Sequence, residues 1–216
     1  MPSDGGMDVV DAGPDVAVDT RMPPDTKDIG VDTMPDSSTP DTAPDTSGLP
    51  QPAMAGQLVI SEFMADPDTL SDKKGEWFEL YNPSATVSYD LQSCVLADRG
   101  SDSHAISKSV VVAPQSYVIL SKGTSPGATP AYVYPKGWYL ANSGDEIIVK
   151  CGGTVIDEVD YDMGPNFTNP KKGASKSLDP TYLNAMDNDD GMYWCDGQNS
   201  YNGDKGSPAK ANSNCP

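Results

Sequence analysis

From Gly56 onward the chain is a succession of short runs in which β-branched and aromatic residues alternate with polar ones, each closed by Gly, Pro, Asn or Asp. This alternation predicts strands over 57–64, 76–81, 89–97, 104–112, 117–121, 132–134, 146–151 and 154–161. Turn signals separate them: Asp66-Pro67-Asp68, Asn82-Pro83, Ala113-Pro114, Asn142-Ser143-Gly144-Asp145 and Gly152-Gly153. The Gly-Gly pair, lying between 147–149 and 155–159, reads as the turn of a two-residue hairpin. No stretch sustains a period of 3.6 residues, so helices are minor. Many short strands with frequent turns define an all-β antiparallel sandwich or barrel.

The run GEWFELYNP, 75–83, is the densest in large side chains. As a strand it sends Phe78 and Leu80 to one face and Trp77 and Tyr81 to the other, and Asn82-Pro83 closes it as a turn. Glu76 and Glu79 stand out inside it, because a buried carboxylate costs free energy unless donors or a cation meet it. The plain reading of Glu62 and Glu76 is that they accept backbone or lysine hydrogen bonds at strand ends.

Before and after these strands the pattern is lost. Residues 1–55 hold no aromatics and repeat short units such as PDVAVDT, MPDSSTPDT and APDTSG. Pro interrupts any helix, and nothing apolar is large enough to offset the entropy of ordering the chain. The segment is expected to be a disordered, partly extended acidic linker, with a reach on the order of 40 Å. Residues 163–216 are rich in Asn, Asp, Gly, Lys and Ser, with Leu178, Leu183, Tyr193 and Trp194 as scattered anchors. So long a stretch is seldom left structureless in a compact domain. It is expected to wrap irregularly back over the sandwich core, 57–162, completing one domain over 56–216.

Charge narrows the partners. The 216 residues carry 14 Lys and Arg against 32 Asp and Glu, a net charge of −18. Residues 1–50 alone hold 11 Asp against Arg21 and Lys27. No basic footprint exists for nucleic acid, or for an anionic membrane surface. No apolar run is long enough to span a bilayer, and Met1-Pro-Ser-Asp-Gly-Gly is not a signal peptide. Four cysteines in a loop-rich β domain nevertheless favour an oxidising compartment, reached through a signal or lipid anchor upstream of Met1.

Cys195 and Cys215 enclose a short loop in the tail, while Cys94 and Cys151 lie in or at the end of expected strands. Pairing 195–215 and 94–151 is the preferred connectivity of three; reduced thiols or a zinc site are the alternatives, though no C-x2-C pair is present.

Taken together, LVISEFMADP (58–67), GEWFELYNPSATVSYDL (75–91), VVVAPQSYVILSKG (110–123), LANSGDEIIVK (140–150), GGTVIDEVDY (152–161), ASKSLDP (174–180), YWCDG (193–197) and GDKGSPAKAN (203–212) resemble the lamin-tail domain family in content and order. With its Asp/Pro-rich leader the chain looks like a surface lipoprotein of the bacterial, secreted type. The resemblance implies an immunoglobulin-like β-sandwich that binds, tethers or targets, and implies no catalytic residues. Glu62, Glu76, Trp77, Glu79 and Asn82 fall within its motifs. Cys94 stands where the family often has an aromatic residue, which suggests that a disulfide substitutes there.

Candidate chemistry is sparse. His104, the single histidine, has Ser101, Ser103 and Ser107 around it, but no nucleophile elbow accompanies them. Glu76 with Glu79, or Asp157 with Glu158 and Asp160, could supply the two acids of a polysaccharide hydrolase. Asp187, Asp189 and Asp190 are dense enough in oxygen to attract calcium, although Met192 and Gln198 stand where an EF-hand needs Gly and Glu. Asn166-Phe167-Thr168 fits a glycosylation acceptor. The expectation is a non-enzymatic extracellular or cell-surface binding or tethering module without cofactor, whose ligand is a protein or glycan. The alternatives are a polysaccharide-acting hydrolase and a calcium-dependent adhesion domain.

Overall fold

The computed structural model of the protein describes residues 48–134 and 137–216. The chain separates into two units, Met1–Ala43 and Pro44–Pro216, and every described residue belongs to the second. Most of the expected linker, 1–47, lies outside the described residues. Near its end Asp90 N donates to Pro50 O, and just beyond it Gly56 N donates to Ile156 O at 2.8 Å.

The described chain is built of short strands, as the alternation predicts. In order they are β1 (Val59–Met64), β2 (Trp77–Tyr81), β3 (Tyr89–Asp90), β4 (Val95–Ala97), β5 (Ser103–Ala105), β6 (Val111–Val112) and β7 (Tyr117–Ser121). There follow β8 (Tyr132–Val133), β9 (Glu146–Cys151), β10 (Thr154–Asp160), β11 (Lys176–Leu178), β12 (Trp194–Asp196), β13 (Ser200–Tyr201) and β14 (Asp204–Lys205). Helix is confined to the single turn Asp72–Gly75 and three 3-10 turns. A six-stranded sheet in the order β12-β11-β1-β2-β7-β8 packs on a four-stranded sheet in the order β10-β9-β4-β5. The fold is an all-β, immunoglobulin-like sandwich.

Between the sheets lies one core. Phe63, Phe78, Leu80 and Leu120 of the larger sheet meet Leu96, Ile147, Val149, Ile156 and Val159 of the smaller. At one end Trp138 packs edge-on against Phe78 and Tyr134, with ring centroids 5.5 and 4.7 Å apart. At the other, Phe63 lies between Tyr161 and Trp194, at 4.6 and 5.5 Å.

Two long expected strands are broken, for local reasons. The run 89–97 is interrupted after Asp90, whose side chain accepts from Gln92 N and from Val110 N in an Asx turn. Ser93 then adopts φ of +68° and returns the chain into β4. The run 104–112 breaks after Ala105, where Ser107 N turns to donate to the Tyr132 hydroxyl.

The tail does more than wrap. Its β11 and β12 extend the larger sheet beyond β1, and Leu178 and Trp194 enter the core. Residues 206–212 cover the outer face of β1 and β2, so all six residues of β1 are buried.

Cys94 is joined to Cys151, and Cys195 to Cys215. The first bond is buried in the core beside the β4–β9 pairing; the second fastens the carboxyl end to β12. Replacing Cys94 and Cys151 together by Ser should cost roughly 4 kcal/mol, and Cys195 with Cys215 roughly 3, from loop-closure entropy alone. Thermal melts of the two double variants check this ordering.

Candidate functional site

Glu62, Trp77 and Glu79, of the family-like motifs, lie on the outer face of β1 and β2. Antiparallel pairing puts Glu62 directly opposite Glu79, and both side chains are fully buried. Glu62 Oε1 accepts from Ser175 Oγ at 2.5 Å, Ser177 Oγ at 2.9 Å and Ser207 N at 2.8 Å, and its Oε2 accepts from Ser207 Oγ at 3.2 Å. Glu79 Oε1 accepts from Ser61 Oγ, and Oε2 from Ala209 N, both at 2.6 Å. Burial pushes both carboxyls above their ordinary range. The donors around Glu62 pull it back, while the Glu62 charge pushes Glu79 further up, so Glu79 is raised the more strongly of the two. Asn212 closes the arrangement by donating to Ser61 O and Leu178 O. This pair is a structural clamp on the tail, closed to solvent.

The neighbouring motif residues are likewise structural. Trp77 Nε1 donates to the Tyr201 hydroxyl at 3.0 Å. Asn82 donates to Val87 O and Val112 O and accepts from Ser84 N, holding the loop after β2 to β6. Glu76 accepts from Leu140 N at 3.2 Å, and burial pushes its carboxyl to about 7 against the opposing pull of Lys122. Glu76 and Glu79 therefore sit under separate parts of the structure and do not flank a cleft together.

His104 Nε2 lies 2.7 Å from the Tyr132 hydroxyl, which also stands 3.2 Å from Ser107 Oγ. Burial lowers the imidazole's affinity for a proton. The hydroxyl of Tyr132 separates histidine from serine, so the two form no nucleophile–base pair.

Asp187, Asp189 and Asp190 point to different partners. Asp187 accepts from Asn184 Nδ2 and Asp190 from Asn166 Nδ2 and Met192 N, while Asp189 lines a groove described below. Among the described residues no group of three or more His, Cys, Asp or Glu is arranged to hold a metal ion.

Asp157, Glu158 and Asp160 diverge as well, because successive residues of a strand face opposite sides, and 157 shares its face with Val159 rather than with 158 and 160. Asp157 turns inward and crosses to the other sheet, accepting from Ile60 N at 2.5 Å and from Asn188 Nδ2 at 2.7 Å. Burial raises its carboxyl to about 7. Glu158 and Asp160 stay outward, and Arg99 forks between them.

These outward carboxylates edge an open groove of about 640 Å³. Its floor is β10, the terminal strand of the smaller sheet, and Val155, Met163 and Asp189 flank it. The groove can present apolar surface and negative charge to a partner. It brings together no acid–base pair poised over a cleft.

A two-sheet sandwich with side chains spent on structure and an open groove at its rim defines an immunoglobulin-like domain. Residues 51–162, just over half of the chain, match the Lamin Tail Domain, and the chain belongs to that family. The resemblance drawn from the sequence is borne out at that level. The family is an immunoglobulin-like, non-catalytic domain, which accords with a binding module. No curated protein and no solved structure matches the chain.

Proposed function

We propose that this is a non-enzymatic binding and tethering module of the bacterial, secreted or lipid-anchored type, displayed outside the cell by its acidic N-terminal segment. The observation that carries the reading is the pair of disulfides, one in the core and one at the carboxyl end, with no free cysteine among the described residues. Such a frame persists in an oxidising compartment. The open groove supplies a surface for a partner, and the leader supplies distance.

Protease treatment of intact cells that make the protein tests the display. The domain is expected to be cleaved from its leader and released without lysis. A pool that only lysis exposes to protease would overturn export. On a panel of glycans, turnover abolished by Glu76→Gln would replace the binding reading with hydrolysis; no turnover is expected.

A further inference from the structure

Exposed methionine around the groove is where the observations reach furthest. Of the five methionines among the described residues only Met64 is buried, although methionine is among the residues most often found inside. Met163, 77% exposed, lines the groove at β10. Met186, 84% exposed, lines a second hollow of about 390 Å³. The two hollows share Ala55 and Ala185, so they form one trough, to which Val155 and Leu183 add apolar surface. Apolar residues scattered singly over a surface are ordinary, whereas a continuous apolar trough marks a place of contact. Methionine suits such a place, because its unbranched thioether adapts to the side chains it meets.

The backbone beside the trough narrows the partner. On the outward side of β10, Gly56 N donates to Ile156 O and Gly164 N to Asp160 O, and the Glu158 amide bonds the Asp157 carboxylate. An extended chain laid there would leave its own N–H and C=O groups unmet. A helix brings its backbone already satisfied and needs only side-chain contact. Charge sets the second requirement. Asp189 borders the trough, and among the described residues no hydrogen bond relieves its carboxylate, which the Glu158 charge opposes. Glu158 is shared with Arg99 in an exposed pair, a kind that holds weakly, so a second cation can approach it. A second copy of this chain, with its net charge of −18, would meet these carboxylates with like charge.

We propose that the trough takes a cationic amphipathic helix of a partner protein, its apolar stripe against Val155, Met163 and Met186 and its lysines or arginines facing Asp189 and Glu158. Residues at i, i+3, i+4 and i+7 of such a helix form one stripe with the charged face beside it, so a single element meets both requirements. The proposal rests on the binding-module reading and names its partner's chemistry.

The test uses the full chain and an end-labelled peptide of about 18 leucines and lysines set at helical period, beside a scramble of the same composition. Fluorescence anisotropy is read in about 0.15 M salt, where attraction beyond roughly 8 Å is screened. The patterned peptide should bind, and the scramble roughly tenfold more weakly. Met163→Gln combined with Met186→Gln should weaken binding roughly tenfold, since both thioethers gain from burial against the helix. Met192→Gln makes the same change at an exposed methionine that lines neither hollow, and should weaken binding less than about twofold. Asp189→Asn should weaken it roughly threefold. In methionine methyl spectra the signals of Met163 and Met186 should move on binding while that of Met64 stays. Equal binding of the scramble, or equal effects of Met192→Gln and the double variant, would reduce the attraction to charge alone and overturn the proposal. Absence of binding, unmoved Met163 and Met186 signals, or undiminished binding by Asp189→Asn would overturn it too. A dimer whose Met163 and Met186 signals shift on dilution would give the trough to a second copy instead. None of these failures touches surface display, which the protease experiment decides separately.

Discussion

Replacing Glu62 by Ala is expected to cost the domain about 4 kcal/mol, a fall of roughly 8–16 °C in melting temperature. Its carboxylate is the shared acceptor for Ser175, Ser177 and Ser207, all within 3.2 Å. The substitution strands these donors in a closed interior and leaves a cavity where the side chain was. The loss should be local as well as global. Residues 206–212 are held to the sheet through Glu62, Glu79 and Asn212, so the amides of Ser207 and Ala209 should exchange faster in the variant. Glu79→Gln at the facing position should cost less than about 1 kcal/mol. An amide there keeps an acceptor for Ala209 N, can donate to the Ser61 hydroxyl, and removes the repulsion from Glu62. Chemical denaturation of both variants gives the comparison, and a Glu62→Ala protein within 1 kcal/mol of the parent would show that the pair is not a clamp.

The second large effect is with pH. Asp157 and Glu76 rise from ordinary values of 3.8 and 4.5 to about 7, and Glu79 is raised further by the charge facing it. A carboxyl that holds its proton more tightly in the folded chain stabilises the fold fully below its unfolded value. It gives that stabilisation up as pH climbs through its folded value. Between about pH 4.5 and 7, then, these groups make the domain less stable as pH increases. Asp160 and Asp179 work in the opposite sense, since backbone donors hold them below 3.8 and their contribution is lost on acidification. The optimum falls between these windows, near pH 4. Melting at pH 5.5 is expected roughly 5–10 °C above melting at pH 8.5, and Asp157→Asn should flatten the profile. A melting temperature that rises steadily from pH 5.5 to 8.5 would show that these carboxyls are not buried as described.

How much of this was legible in the sequence depends on how local each cause is. The strands at 146–151 and 154–160 follow from alternation around Gly152-Gly153, and Phe78 and Leu80 were separable from Trp77 by period alone. The cysteine positions likewise suggested a core bond and a tail bond. Other features depend on partners far along the chain. That Glu62 and Glu79 are both sealed from water requires donors from 207 and 209, more than a hundred residues away. β11 and β12 are three residues each, too short to carry a period. Asp157 was grouped with Glu158 and Asp160 by proximity in sequence, although successive residues of a strand face opposite sides and 157 is out of step with 158 and 160. The groove was invisible in the sequence, being made where β10, the 163–165 turn and Asp189 converge. The aspartates at 187–190 show the converse: a dense acidic run in which Asp187 and Asp190 pair and cap locally while Asp189 faces the groove.

Peptide mapping under non-reducing conditions, on protein taken from the cells that make it, tests the central claim most directly. Cross-linked peptides joining Cys94 to Cys151 and Cys195 to Cys215, and no others, are the result predicted for the sulfur-fastened domain and its proposed export. Four free thiols would contradict it.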